Sequence, residues 1–90
     1  MSTLKPHPDV VVRKVATELV IVHLGRNEIF TTNPTGARVW ALLSDGVHEN
    51  ELVPRLLQEF DAPEEAAIAM EVDSFLRLLR AEGLVIDDGT

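Results

Sequence analysis

Apolar positions along the chain change their spacing near residue 33. Ahead of it they come in short β-branched runs, VVVRKV (Val10–Val15) and LVIVHL (Leu19–Leu24), followed by EIFTT (Glu28–Thr32). Runs of this length, rich in Val, Ile and Thr, predict strands. The intervening ATE predicts a tight connection, and GRN (Gly25–Asn27) a hairpin turn. The first third therefore reads as an antiparallel meander of three strands.

Beyond it the spacing becomes helical. Asn33 followed by Pro34 supplies a capping side chain and a first-turn proline, so a helix is expected from there to about Ser44, with Val39, Trp40 and Leu43 inward. Asp45-Gly46 stops it. Leu52, Val53, Leu56, Leu57 and Phe60 form a second helical stripe. Pro54 must lie in its first turn, which places the start near Asn50. Asp61–Pro63 resets the chain, and Glu64 to Glu82 gives the longest helix, ended by Gly83 as a left-handed cap. Leu84–Ile86 closes the pattern.

That last helix has two apolar sides. At about 100° per residue, Ile68, Val72, Phe75, Leu76 and Leu79 fall together as a core stripe. Ala67, Met70, Ser74, Leu78 and Ala81 gather roughly 145° away, with Asp73 and Arg77 at the margin. The second stripe has two readings: partial burial against a loop, or an exposed strip for a partner, to which a pliable methionine is suited.

Composition narrows the function. Ninety residues suffice for one modest core and not for a deep catalytic cavity. Fifteen acidic against eight basic residues, a formal charge of −7, argue against nucleic acid and anionic membranes as partners. Apolar runs are far short of the about 20 residues a membrane span needs. Without cysteine there is no thiol chemistry, and a cytoplasmic setting is expected. His7, His23 and His48 share no metal-ligand spacing and are expected in surface or capping roles. No serine sits in a nucleophile setting, no glycines form a phosphate loop, and Glu64-Glu65 suits a helix start. Neither an enzyme nor a metal or cofactor site is expected.

The ordered set Phe30, Asn33, Thr35-Gly36-Ala37, Trp40, Leu43, Asp45-Gly46, Leu52, Leu56-Leu57, Phe60, Val72-Asp73, Phe75-Leu76, Leu79 and Gly83-Leu84 resembles the PqqD-like family. Members of that family recognise precursor peptides in ribosomal peptide natural-product pathways. The resemblance implies an α+β, winged helix-turn-helix-like domain over residues 10–86, with a three-stranded antiparallel sheet followed by three helices. Residues 1–9 would be a flexible arm and 87–90 a polar tail. It also implies that a leader segment adds as a strand beside Glu28–Thr32 and packs against the last helix. Thr32 departs from the family, which usually places an apolar residue there.

The site expected on this basis comprises Glu28, Ile29, Phe30, Thr31, Met70, Asp73, Ser74, Arg77 and Leu78. Ile29 and Thr31 share one face of the strand and Glu28 and Phe30 the other; the residues leave open which pair meets the leader. Asp73 and Arg77 either hold leader charges or pair with each other at i, i+4 spacing. A free-standing chain of this kind looks most like the leader-binding component of a lasso-peptide pathway. Its implied partners are the precursor's leader, a leader protease and, as a further candidate, the cyclase. The alternatives are a peptide chaperone of pyrroloquinoline quinone biosynthesis and a winged-helix DNA-binding protein.

Overall fold

The computed structural model describes residues 3–60 and 64–88. In chain order the elements are β1 (Thr3–Pro6), β2 (Val10–Val15), β3 (Glu18–His23), β4 (Glu28–Thr31), α1 (Pro34–Ser44), a 3-10 turn (Glu49–Glu51), α2 (Leu52–Glu59), α3 (Glu65–Ala81) and β5 (Val85–Asp88). Strands β2, β3 and β4 form the expected antiparallel sheet in that order, with Val12 opposite Ile21 and Ile21 opposite Phe30. The segment Asp61–Pro63, read above as a break between helices, lies outside the described residues.

The sheet has one covered face because β3 alternates. Leu19, Ile21 and His23 point inward and are buried, and α1 packs beneath them through Val39, Trp40 and Leu43. Leu52 and Leu56 of α2 and Val72, Leu76 and Leu79 of α3 complete the core. Ile68 and Phe75 pack against its margin. These five α3 positions are the stripe that the helical periodicity selects.

The helix ends follow their local chemistry. The Asn33 side chain accepts the Gly36 N–H at 2.8 Å, and Pro34 begins α1. Both α1 and α3 finish in the same way. At Gly46 (φ +87°) and Gly83 (φ +66°) the chain turns left-handed. Val47 N–H then reaches back to Leu42 O, and Leu84 N–H to Leu79 O, which satisfies carbonyls the helix leaves over. Pro54 is the third residue of α2, inside the first turn, where no intrahelical donor is required of it.

Two expectations need correction. Residues 1–9 are not a loose arm throughout, since Thr3–Pro6 is a strand paired antiparallel with β5, Thr3 opposite Asp88 and Pro6 opposite Val85. Leu4 anchors this ribbon in the core at 1% exposure, a single apolar residue too brief to register as a periodic signal. The ribbon also takes Asp87 and Asp88 out of the expected polar tail. His23 is the second correction. It is 5% exposed rather than at the surface, because its place in the alternation of β3 is an inward one. Its ring lies 5.0 Å from that of His7, whose Nδ1 accepts the Asp9 N–H at 3.0 Å. Among the described residues no helix is long and apolar enough to cross a membrane.

Candidate peptide-binding groove

Hydrogen-bond alternation fixes which main-chain groups of β4 are left open. Thr32 N–H donates to Leu19 O at 2.9 Å, so positions 32, 30 and 28 turn their main-chain groups toward β3. The main-chain groups of Ile29 and Thr31 therefore point away from the sheet, and no strand of the protein pairs with that side among the described residues. The pleat is settled too. Ile29 is 70% exposed, whereas Phe30 is half-buried against the core. Of the strand residues expected at the site, Phe30 belongs to the interior face, and only its backbone stays near the edge.

Thr32 explains how the strand ends. It is 7% exposed, and its Oγ1 accepts the Leu19 N–H at 3.2 Å. A hydroxyl thus takes the place of the carbonyl that a continued ladder would use, and the backbone is free to swing into the Asn33 cap. The departure from an apolar residue here leaves no buried donor unpaired at Leu19.

Beside this edge lies an open groove of about 480 Å³. Thr31 and Thr32 form one bank. The floor comes from the start of α1, with Asn33, Thr35, Gly36 and Val39. The far bank is α3, through Met70, Glu71, Ser74, Phe75 and Leu78. Gly36 matters for its size. A Cβ there would stand 3.1 Å from Thr32 Cβ and 3.4 Å from the Phe75 ring, so a side chain would crowd the floor where α1 and α3 meet.

The second stripe of α3 is exposed, Met70 at 72% and Leu78 at 40%, which removes the reading of burial against a loop. The structure therefore brings Thr31, Met70, Ser74 and Leu78 together around one groove. Asp73 and Arg77 stand outside its lining and pair with each other at 3.0 Å, both well exposed. Sequence reasoning missed Thr32, Asn33, Thr35, Gly36, Val39, Glu71 and Phe75 as groove lining. The helical periodicity assigns Phe75 to the core stripe alone, and the α1 residues become visible as a floor only once α1 is placed against α3.

A second groove of about 410 Å³ lies on the other flank of α1, between Val12 and Lys14 of β2, Ala37 and Ala41 of α1, and Phe60. At its border Arg38 Nη2 donates to Glu59 Oε2 at 3.0 Å. The guanidinium's hydrogen bond holds the Glu59 carboxyl below its ordinary value. Among the described residues no three metal-ligating side chains cluster.

A meander of three strands, three helices beneath it and an apolar groove beside one strand edge define a small α+β domain of winged-helix-like build. The chain belongs to the PqqD family, whose model, described as coenzyme PQQ synthesis protein D, matches residues 18–85. The fold is similar to a solved structure of TbiB1 in complex with the TbiA(beta) leader peptide, with a TM-score of 0.80, 27% identity and 96% of each chain covered. It also resembles lasso peptide synthetase B1 complexed with the leader peptide, with a TM-score of 0.78 and 18% identity over 92% of this chain and 96% of that one. No curated protein sequence matches.

Proposed function

We propose that this protein binds the leader segment of a ribosomally made precursor peptide by strand addition to β4, against α3, and presents it to a separate leader protease in a cytoplasmic lasso-peptide pathway. The observation that carries this reading is the open edge of β4 running along an apolar groove. A guest strand offers Ile29 and Thr31 the main-chain partners they lack, and its inward side chains enter the groove between Met70, Phe75 and Leu78. The leader-bound state of the two similar structures supports the same occupant. The role is recognition, with no catalytic step on this chain and the cyclase as a further partner.

Ordering a disordered leader costs roughly 2–5 kcal/mol. Strand hydrogen bonds contribute about 0.5–1.5 kcal/mol each, so a few of them offset that cost without a large surplus. The affinity then rests on one or two large leader side chains buried in the groove. A second reading, a peptide chaperone of pyrroloquinoline quinone biosynthesis, is favoured by the description of the family model. It shares the groove and differs in the precursor. DNA binding is disfavoured on charge. Both cations on α3, Arg77 and Arg80, are already paired, with Asp73 and Glu49.

The test is a titration with the leader half of a precursor encoded beside this chain, followed by backbone amide shifts. Shifts concentrated in Glu28–Thr32 and along α3 are expected. Shifts confined to β2, or none at saturating peptide, would overturn the proposal.

A further inference from the structure

We infer that Glu71 sets a charge preference in the groove: the guest strand carries a lysine or arginine two or four residues from the apolar side chain that fills it. This rests on the reading of β4 as the strand-addition edge.

Glu71 is the one charged side chain in the groove lining among the described residues; the rest are apolar or carry neutral hydroxyl and amide groups. It takes part in no ion pair among those residues. Arg77 stands outside the groove lining, about 120° around the helix from Glu71, and is held by Asp73 at 3.0 Å, so it does not offset Glu71. A strand laid into the groove displaces water from the Glu71 carboxylate, and a carboxylate that loses water needs a partner of opposite charge. An acidic guest residue at that point is repelled, a neutral one leaves the charge poorly solvated, and a basic one pairs with it.

Spacing follows from geometry. Glu71 and Phe75 are four residues apart, about 6 Å along α3, and Glu71 and Leu78 are seven apart, about 10 Å. Side chains on one face of a strand recur about every 6.6 Å, and only that face looks into the groove. A basic residue over Glu71 and an apolar one beside Phe75 or Leu78 are therefore two or four places apart in the guest. This pattern is a property of the leader that can be read before any binding is measured.

The experiment titrates the wild-type chain, Glu71→Gln and Glu71→Lys with the synthetic leader half of the precursor encoded beside this chain. It adds leader versions in which each Lys or Arg is changed singly to Glu. Glu71 is exposed, so both variants are expected to fold, which thermal melts check. The expected result is about threefold weaker binding for Glu71→Gln and about tenfold for Glu71→Lys, with one Lys or Arg→Glu leader restoring affinity to Glu71→Lys alone. Affinity unchanged within about twofold in both variants, no leader substitution that couples to Glu71, or a leader without Lys or Arg at this spacing would overturn the inference alone. A wild-type chain that does not bind the leader overturns the strand-addition reading as well.

Discussion

The sheet has two outer edges, and they are built differently. On β2 the open main-chain groups belong to Val12 and Lys14, since Val11 and Arg13 face Val22 and Val20 in the bonded register and the Val10 N–H donates to His7 O at 3.0 Å. That strand carries Arg13 and Lys14, both exposed, and charged side chains on an edge discourage another chain from pairing there. The edge of β4 is EIFT, with no lysine, arginine or proline to blunt it. Each edge overlooks a groove, but only the one beside β4 is banked by α3. On the proposed function, the difference teaches that an open edge can serve as a binding site where a wall stands next to it and no cation guards it.

The sharpest way to break this comparison is to put proline on each edge in turn. Ile29→Pro removes an outward N–H without touching the β3 ladder, and leader affinity by calorimetry should fall about ten- to hundredfold. Val12→Pro removes the corresponding group from β2 and should leave affinity within about twofold; equal losses would erase the distinction between the edges. Next in size is the wall. Leu78→Asp should weaken the leader about tenfold while the melting temperature barely moves, because the side chain already meets solvent.

The corner that joins edge to floor should register in stability instead. Thr32→Val keeps the shape but strands the buried Leu19 N–H, at a cost of about 1–3 kcal/mol in urea unfolding. Smaller still is the rim. Asp73→Asn should change leader affinity by no more than about twofold, as the Asp73–Arg77 pair is exposed and outside the groove. On the opposite flank, Glu59 has its folded value lowered by Arg38, so its contribution is present above the ordinary carboxylate range and fades as pH falls through the folded value. Glu59→Gln should therefore slightly flatten the acid limb of stability against pH and leave the leader unaffected.

Much of this was legible in the residues because the signals were local. The meander, the Asn33 cap, the stops at Gly46 and Gly83 and the core stripe of α3 all follow from neighbours a few places apart. What stayed hidden depends on distant partners. β1 exists because Leu4 finds the core and Lys5 finds Ile86, more than eighty residues along. His23 looks like a surface histidine until the pleat turns it inward. The face of β4 was undecidable from its four residues, since Glu, Ile, Phe and Thr alternate without a clear polar side, and Phe30 opposite Ile21 settled it. Glu71 could have been found by asking which charge falls between Leu78 and Phe75 on the helical wheel, about 20° from the one and 40° from the other.

The β1–β5 ribbon has an architectural consequence. Because residue 3 sits across from residue 88, the chain enters and leaves this fold at one place, on a ribbon that is not part of the sheet containing β4. A domain wired in that way can be spliced into a loop of an unrelated carrier, or tethered from both ends to a support, without interrupting the sheet that carries β4.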